Sequence, residues 1–498
     1  MIRPLALAAS AWLVLSACAT TTTRPRGIYF VMVDRFENGD RSNDSIVTPD
    51  DPSAFHGGDL QGLIDRLDWI QSLGFDTVWL SPVFAMRTEA WHGHGAFHGY
   101  WTWDLSKLEP RFGTEETLRR LRAELDRRHM KLLLDLVLNH VGPDAPLLTQ
   151  HPDWFHHHGG ITDWNDPVQL TDYDVHGLPD LATEKPEVFA FLLNATRHWL
   201  DVARPDGFRL DAVKHLPVSF WARFRDELPN QWLLGELLDG DPQALVTTWK
   251  EGRFSTLFDF PLGFAITDVF CRGADPSKLA AALTNDRRYP DANALVTLVD
   301  NHDLPRLASA CGGDRQKIAA ALRFLLAMRG TPSIIWGTEI AATGEKEPDN
   351  RASMRFVDDP LREVISGAMA QRAASRALRE GTTIVEKVGQ GELSLLRVVD
   401  GEAQRITVRA GQVEVGPAST IAIPKAATRR VTFSGQGQVV GSGPELGDWK
   451  RERAMTLPVT LELPVGGVFE LKRIIDGQWE EGPNRVLWVR PDTEMMAW

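Results

Sequence analysis

Three short segments decide the fold of this chain: Gly207-Phe-Arg-Leu-Asp-Ala-Val-Lys-His215, Gly235-Glu-Leu237 and Val299-Asp-Asn-His-Asp303. Each follows an apolar run of the kind that forms a strand buried on both faces. A carboxylate is therefore expected at the mouth of each buried strand. Because the carboxyl ends of parallel strands meet at one edge, the three acids should come together there, with an arginine and histidines beside them.

Eight such runs alternate with amphipathic stretches along the chain. The predicted strands are Gly27–Val33, Phe75–Leu80, Lys131–Leu138, Asp206–Leu210, Trp232–Gly235, Thr256–Asp259, Leu295–Val299 and Pro332–Trp336. The predicted helices include Leu60–Leu73, Glu115–His129, Pro186–Val202, Pro217–Glu227 and Gln316–Met328. This alternation predicts an α/β fold, a closed parallel (β/α)8 TIM barrel whose chemistry collects at the C-terminal ends of the strands.

The predicted domains follow from breaks in that alternation. The barrel is expected to occupy residues 27–380. Residues 141–180, after the third strand, form a connection so long that it predicts a small inserted subdomain beside the cleft. Residues 381–428 alternate in short β-like runs and predict a small antiparallel β domain. Residues 429–498 are again β-like and predict a separate C-terminal module.

The first residues read as a targeting segment. Residues 1–18 combine a basic start with an apolar stretch too short to span a bilayer, and residues 19–26 form a tether. Leu15-Ser-Ala-Cys18 resembles a bacterial lipobox, in which the cysteine is acylated after cleavage; a plain secretion signal is the alternative. Of the remaining cysteines, Cys271 and Cys311 could pair or stay free.

Bulk composition excludes some partners. The net charge of −13 argues against a nucleic-acid or anionic-membrane partner, so we expect membrane contact only through the lipid anchor. The predicted location is the bacterial cell envelope, at the outer membrane or cell surface. We expect a monomer. The chain has 17 tryptophans. Exposed tryptophan faces are suited to sugar rings, and core packing is the alternative for most of them.

Six motifs agree in order and spacing with one known family. They are Asp135-Leu-Val-Leu-Asn-His140, Leu178-Pro-Asp-Leu181, Gly207 to His215, Gly235-Glu236, Asn301-His-Asp303 and Gly330-Thr-Pro-Ser-Ile-Ile-Trp-Gly337. With these motifs the chain resembles the α-amylase family, family 13 of the glycoside hydrolases, over roughly residues 27–380. The resemblance implies retaining, endo-acting hydrolysis of α-1,4-glucosidic bonds in starch and maltooligosaccharides.

The resemblance also implies the roles of three acids. Asp211 would be the nucleophile, Glu236 the acid/base, and Asp303 a second anion that binds sugar hydroxyls and keeps Glu236 protonated. The residues agree with this reading. Arg209 lies two positions before Asp211, so both side chains project from the same face of the strand and the guanidinium keeps Asp211 ionised. Glu236 must be protonated at working pH, which requires a drier or more anionic setting.

Further substrate contacts follow from the resemblance alone. Tyr100 would stack on the sugar at the cleavage point, or else be a buried barrel-edge aromatic. The other predicted substrate-binding residues are His98, His140, Arg209, Lys214, His215, His302 and Arg351. Among them, His140 and His302 would donate hydrogen bonds to the sugar ring, and Lys214 and His215 would contact the leaving-group side.

One or two structural calcium ions are implied by the same resemblance. One site would use Asn139, Asp180 and the backbone carbonyl of His215, with Asp172 or Asp174 as a further ligand, since calcium prefers oxygen donors. The second would be an N-terminal loop found in cyclodextrin-active members; a plain turn is the alternative. Its predicted ligands are Asn38, Asp40, Asn43, Asp44, Gly57 and Asp59. His156-His-His158 is expected to be a solvated loop.

The tail resembles a family 20 starch-binding module, with its first two strands shortened. The matching stretches are Val440-Gly-Ser-Gly-Pro-Glu-Leu-Gly-Asp-Trp449, Phe469-Glu-Leu-Lys472 and Trp479-Glu-Glu-Gly-Pro-Asn-Arg485. By this resemblance Trp449 and Trp479 would be paired stacking platforms, with Lys472 and Asn484 bonding the sugar. The alternative for Trp449 is core packing.

Two other functions stay open from the sequence. The N-terminal loop also suits a cyclodextrin-active or transglycosylating member of the family that uses the same acids. A non-catalytic surface protein that captures starch is the alternative of another class. Such a protein would be expected to have lost catalytic carboxylates, and all three are present here.

Overall fold

The computed structural model describes residues 24–419, residues 428–490 and the backbone of the short strand Met496–Ala497. The predicted signal peptide, Cys18 and most of the tether lie outside these residues. Within the described part of the chain, no helix is long and apolar enough to cross a membrane.

Eight parallel strands form the barrel that the sequence predicts. They are β1 (Ile28–Val31), β2 (Thr77–Leu80), β3 (Lys131–Leu136), β4 (Gly207–Leu210), β5 (Trp232–Gly235), β6 (Thr256–Leu257), β7 (Val296–Thr297) and β8 (Thr331–Ile335). Hydrogen-bonded neighbours run in the order β6-β5-β4-β3-β2-β1-β8-β7, and a parallel bridge between Phe258 and Val296 joins the two ends. The closed parallel barrel is therefore confirmed.

Helices pack around the barrel between its strands. They are Leu60–Asp65, Leu67–Ser72, Glu115–Arg127, Pro186–Ala203, Val218–Glu227, Pro242–Gly252, Phe260–Phe270, Ser277–Leu283, Arg315–Ala327, Pro360–Ala374 and Arg376–Glu380. The predicted helix Leu60–Leu73 is divided at Arg66, whose backbone leaves the helical region at φ −110°, ψ 8°. There the Arg66 guanidinium pairs with Glu37 at 3.0 Å and lies over the Phe356 ring, so tertiary contacts override local helix preference.

Two additions stand at the C-terminal end of the barrel strands. A hairpin of Phe84–Met86 and Thr102–Leu108 follows β2, and residues 141–180 carry short helical turns, including Pro146–Gln150 and Pro167–Asp172. An isolated bridge joins His140, just after β3, to Asp180. The far end of the long connection is therefore fixed next to its beginning, beside the barrel mouth.

Two β units follow the barrel. The first is the antiparallel sheet Thr382–Gly389, Glu392–Val399, Glu402–Arg409 and Gln412–Pro417. Its three hairpins turn through Gln390-Gly391, Asp400-Gly401 and Ala410-Gly411, all with positive φ, the conformation of tight two-residue turns. The second unit has two small sheets around a core of its own. Its strands are Thr428–Phe433, Gln438–Gly441, Met455–Thr456, Val459–Pro464, Val468–Ile475, Gln478–Trp479, Arg485–Trp488 and Met496–Ala497.

The sequence left open whether the two cysteines of the barrel pair or stay free. Cys271 and Cys311 form a disulfide. It ties the end of helix Phe260–Phe270 to the turn that precedes helix Arg315–Ala327, on the outside of the barrel.

Candidate active site

The centre of the site is the guanidinium of Arg209, which holds three carboxylates. Its Nη1 donates to Asp135 at 2.8 Å and to Asp211 at 2.6 Å, and its Nη2 pairs with Glu236 at 2.9 Å. These residues come from β3, from β4 and its end, and from the end of β5, which are neighbours in the sheet. The predicted pairing of Arg209 with Asp211 is present, and the arginine also links two acids that the sequence did not connect to it.

The burial of Arg209 favours a positioning role, and its predicted contact with substrate stays a prediction. Its side chain is 1% exposed, whereas those of Asp211 and Glu236 are 12% and 11% exposed. The guanidinium therefore lies beneath the carboxylates, and a sugar entering from solvent meets the acids first. Arg209 positions the acids and neutralises part of their charge.

Glu236 has the environment expected of a protonated acid. Burial raises the pKa of Glu236 to about 8; the Arg209 cation opposes this shift, and the charges of Asp211 and Asp303 add to it. The backbone N–H of Ala212, next to Asp211, donates to Glu236 Oε2 at 3.1 Å. Ala212 has φ of 49°, a left-handed conformation that residues with a Cβ rarely adopt. This turn brings the peptide after Asp211 against Glu236.

Asp303 lies at the rim of the same site. Its side chain is 35% exposed and contacts Arg351 at 3.1 Å and His302 Nε2 at 3.2 Å. Burial alone would raise the pKa of Asp303, but His302 and Arg351 outweigh it and the pKa is lowered. Arg351 also pairs with Glu347 at 2.6 Å. Asp303 is thus held as an anion at the rim of the site.

The two predicted histidines, His140 and His302, are bonded within the protein through Nε2. His140 Nε2 lies 3.2 Å from the Tyr100 carbonyl, which can only accept, so this nitrogen carries the proton. His302 Nε2 faces the Asp303 carboxylate in the same way, and burial lowers the pKa of His302 to about 3. The Nδ1 atoms of both rings are buried with no partner among the described residues. Both Nδ1 atoms are buried, so the predicted hydrogen bonds from these rings to a sugar stay predictions.

The aromatic wall of the site differs from the simple stacking expected of Tyr100. Its ring lies parallel to His302, with centroids 4.9 Å apart, and its hydroxyl donates to Asp135 at 3.0 Å. A sugar can therefore stack only on the other face of Tyr100. His98 accepts the Tyr100 N–H at Nδ1 and is 4% exposed, so its contact fixes the tyrosine backbone.

Asp135 is a site residue that the sequence reasoning did not single out. It is buried and accepts from Arg209, from the Tyr100 hydroxyl and from Trp79 Nε1 at 3.1 Å. Burial raises the pKa of Asp135 to about 7, against the pull of Arg209. The sequence showed Asp135 only as the first residue of the motif Asp135–His140. Its pairing with Arg209 across β3 and β4 depends on the strand register, which the structure supplies.

Exposed groups line the side next to Lys214. The Lys214 ammonium is 38% exposed and 3.8 Å from Asp239, three residues after Glu236. His215 donates from Nδ1 to the Leu170 carbonyl at 2.9 Å. Trp164, from the inserted segment, lies 6.0 Å from the His215 ring and is 46% exposed. Leu238 is 45% exposed on the loop that carries Glu236.

The first predicted calcium site contains buried polar atoms that lack a hydrogen-bond partner. Asn139 Nδ2 and Asp180 Oδ1 are buried and have no partner among the described residues. Exchanging the amide atoms of Asn139 would leave an unsatisfied oxygen there, as calcium requires. Asp174 accepts the Asp180 N–H at 3.1 Å. Of the two residues predicted as a further ligand, Asp172 and Asp174, Asp174 is therefore the one in contact with Asp180. The solvated loop predicted for His156 is wrong, because its Nδ1 bonds Asp180 Oδ2 at 2.6 Å.

The second predicted calcium site is a compact loop. Asn38 Nδ2 donates to Asp44 at 2.9 Å and Asn43 Nδ2 to Asp59 at 3.2 Å, while the amide oxygens of both asparagines are buried without a partner in the described chain. A Cβ on Gly57 would lie 2.8 Å from Asp44, so the backbone of Gly57 adjoins the same cluster. Asp40 instead caps its own turn, accepting from Ser42 at 2.6 Å. Among the described residues, no group of three or more His, Cys, Asp or Glu side chains is arranged to hold a metal ion.

The C-terminal module brings its two predicted platforms together. The rings of Trp449 and Trp479 have centroids 6.5 Å apart at an angle of 50°, and Trp479 is 41% exposed. Trp449 is half-buried and lies outside the apolar core of the module. Lys472 donates to the Gly482 carbonyl at 2.8 Å, and the exposed Asn484 donates to Glu470.

The chain matches known proteins across this site. Residues 30–376 match the α-amylase family, described as "Alpha amylase, catalytic domain". A β/α-amylase of Paenibacillus polymyxa is 34% identical over 76% of this chain and 33% of its own length. A cyclomaltodextrinase of a Bacillus species is 31% identical over 71% of this chain and 66% of its own length. The chain thus spans one third to about two thirds of these relatives.

A solved structure extends the likeness beyond the barrel. The α-amylase of Geobacillus thermoleovorans, complexed with acarbose, is 31% identical and superposes with a TM-score of 0.72. The alignment covers 93% of this chain and 96% of that one, so it includes the β units after the barrel.

Proposed function

This chain belongs to the α-amylase family of glycoside hydrolases, and on that premise we propose that it hydrolyses internal α-1,4-glucosidic bonds of starch and maltooligosaccharides with retention. The observation that carries the proposal is the attachment of Asp211 and Glu236 to different nitrogens of one guanidinium. Such attachment keeps two carboxyl groups a few ångströms apart, in keeping with the separation of about 5–5.5 Å that retaining glycosidases use.

The arrangement supports a double displacement. Asp211, exposed above Arg209, attacks the anomeric carbon while Glu236 gives its proton to the departing oxygen. A water molecule then attacks the anomeric carbon while Glu236 takes its proton, and the bond from that carbon to the Asp211 oxygen breaks, which releases the sugar. Asp303 is an anion beside His302, placed to accept hydrogen bonds from sugar hydroxyls. His140 and His302 would contact hydroxyls of the same sugar ring.

A second candidate is a cyclodextrin-active or transglycosylating enzyme with the same acids. The exposed faces of Trp164 and Leu238 favour it, because apolar surface beside Lys214 would hold an acceptor sugar in place of water. Product analysis on maltoheptaose separates the two candidates. We expect shorter linear maltooligosaccharides; cyclic or elongated products would favour transglycosylation. A purified protein inactive on soluble starch with calcium present would support the non-catalytic alternative.

We propose that calcium ions occupy the two loops described above as structural ligands. Asn139, Asp180 and the carbonyl of His215 would hold one ion between barrel and insert. Asn38, Asn43, Asp44, Asp59 and the backbone at Gly57 would hold the other, with Asp40 contributing through its backbone since its side chain caps a turn. The unpartnered amide and carboxylate oxygens support this proposal.

Calcium removal is expected to lower thermal stability. A ligand at one hundred times its Kd stabilises the folded state by about 2.7 kcal/mol, so chelation should lower the Tm measurably. The measurement is thermal unfolding with and without EGTA, for wild type, Asp180→Asn and Asn43→Ala. Each variant should lose only part of the calcium effect. Full restoration by magnesium, or no response to EGTA, would contradict a calcium role.

We propose that residues 429–498 bind starch through Trp449 and Trp479. Their exposed, angled rings would stack on the apolar faces of glucose units. Lys472 and Asn484 would bond the sugar after breaking their present contacts with Gly482 and Glu470.

Trp479→Ala is expected to weaken adsorption to granular starch about tenfold, a loss of ~1.4 kcal/mol. Hydrolysis of soluble oligosaccharides should be unchanged, because this ring lies outside the catalytic site. Val486→Ala is the matched control, since Val486 is 44% exposed on the same module but has no flat face. Equal losses on granules and on soluble oligosaccharides would refute the platform.

We further propose that the mature protein is an exported monomer anchored to the cell envelope by lipid on Cys18. The lipobox-like Leu15-Ser-Ala-Cys18 supports this. Mass spectrometry of the membrane-extracted protein would detect the acylated N-terminal cysteine.

A further inference from the structure

A groove of about 420 Å³ lies between the barrel and the C-terminal module. On the barrel side it is lined by the loop Gly240–Pro242, Phe264 and Asn285. On the module side it is lined by Trp449 and Glu470. The groove has no part in the function proposed so far, in which Trp449 acts only together with Trp479.

Buried contacts fix the module against the barrel at this groove. Arg288 donates to Asp448 of the module at 2.9 Å, and both side chains are only 7% exposed. The same guanidinium bonds Gln243 and Asn285 of the barrel at 2.8 and 3.0 Å. Next to it, Arg287 forms a two-pronged ion pair with Glu445 at 2.6 and 2.7 Å. The two walls of the groove therefore have a fixed relative position.

The module wall carries local backbone strain. Asp448 and Trp449 have φ angles of 50° and 60°, so two consecutive residues with side chains adopt the left-handed conformation. Such residues cost stability and cluster at ligand-binding positions. Here the strained pair directs Asp448 to Arg288, while the Trp449 ring lines the groove.

The barrel wall leads to the catalytic loop. Gly240 is four residues after Glu236, so the two Cα atoms are separated by at most about 14 Å. A Cβ on Gly240 would lie 3.8 Å from the Phe264 ring, which places that ring against the loop. Between them in sequence, Leu238 is 45% exposed and Asp239 lies 3.8 Å from the Lys214 ammonium. The barrel wall of the groove therefore continues, along the chain, from the loop that carries Glu236.

The lining has the chemistry of a sugar site. Phe264 and Trp449 offer flat apolar faces, and the carboxylates of Asp241 and Glu470 offer hydrogen-bonding groups, whereas the side chain of Asn285 is already bonded to Arg288 and to its own helix. Alternating apolar ring faces and hydroxyl edges are what a glucan chain presents. A pocket with apolar walls and a few convergent polar groups is the usual form of a small-molecule site.

We propose that this groove binds a segment of the α-glucan chain that extends from the leaving-group side of the catalytic site to Trp449. One long chain would then contact barrel and module at once. The inference rests on the function proposed above and makes the module part of catalysis on long chains. Binding at the second surface would follow binding at the first as an intramolecular step, which raises affinity without strengthening either site.

The test compares long and short substrates in Phe264→Leu, which keeps apolar volume but removes the flat face. We expect kcat/KM on soluble amylose to fall about tenfold, through KM, while kcat/KM on maltotetraose stays within about twofold. Phe264→Ala should give the same selective loss. Thermal unfolding checks that both variants are folded. Val486→Ala, which alters an exposed residue of the module that does not line the groove, should leave soluble amylose hydrolysis unchanged.

Equal losses of kcat/KM on both substrates, or no loss on either, would overturn the proposal that the groove binds glucan. A wild-type protein inactive on both substrates would instead overturn the proposed function. In that case calorimetric titration with amylose still decides the groove. Binding about tenfold weaker in Phe264→Leu than in wild type supports it, and equal binding refutes it.

Discussion

Glu236→Gln is expected to lower kcat on soluble starch by on the order of 10²–10⁴-fold and to leave glucan binding intact. The amide has almost the shape of the protonated acid, so it can keep the contact with the Ala212 N–H. It has no acidic proton to give to the departing oxygen. The loss should therefore fall on turnover alone.

The measurement pairs steady-state kinetics on starch with calorimetric binding of maltoheptaose. Glu227→Gln is a suitable control, because Glu227 forms an exposed pair with Arg197 at 2.7 Å and such pairs contribute little. The control should keep full activity. Unchanged turnover in Glu236→Gln would refute the acid role.

The same residue predicts the alkaline limb of the pH profile. Burial, together with the charges of Asp211 and Asp303, raises the pKa of Glu236 to about 8 despite Arg209. The acid form is active, so kcat/KM should be level below this value and fall tenfold per pH unit above it. Asp303→Asn removes one of the anions that raise the pKa, so the limb should move to lower pH. If the alkaline limb does not move in Asp303→Asn, the limb reports the titration of a group other than Glu236.

The barrel was predictable because its strands are continuous apolar runs. All eight predicted strands are present, shortened by up to three residues where the run continues into a loop, as in Leu295–Val299 against Val296–Thr297. Helix Phe260–Phe270 escaped prediction because it is apolar on nearly every side and shows no period. Pro242–Gly252 was also missed. The break at Arg66 depends on Glu37 and Phe356, which no local pattern reveals.

The site was predictable as a set of acids but not as a network. Residue spacing indicated that Arg209 serves Asp211, since two positions along a strand share a face. Its contacts with Asp135 and Glu236 depend on which strands are neighbours and in what register. The proton positions of His140 and His302 depend on single contacts, with the Tyr100 carbonyl and with Asp303. Such contacts are three-dimensional and leave no local trace in the sequence.

Asp211→Ala is expected to cause the largest loss, on the order of 10⁵–10⁶-fold in kcat, because no covalent intermediate can form without the nucleophile. Arg209 keeps Asp135 and Glu236 as partners, so the buried cation is not left alone and the variant should fold. Circular dichroism and thermal unfolding check that expectation. Asp303→Ala is the comparison variant, since it removes an acid of the same site that forms no covalent bond to the substrate.

The space left by Asp211→Ala allows a sharper test with added azide and α-maltotriosyl fluoride. Azide should attack the anomeric carbon from the face that Asp211 occupies, forming a C–N bond as fluoride departs with the bonding electrons. The product is then the β-azide, with inverted configuration. Glu236→Ala should instead form the Asp211-linked intermediate, which azide attacks from the opposite face to give the α-azide. The two configurations are read by proton NMR. An α-azide from Asp211→Ala, or a β-azide from Glu236→Ala, would mean that the nucleophile and the acid have been assigned the wrong way round.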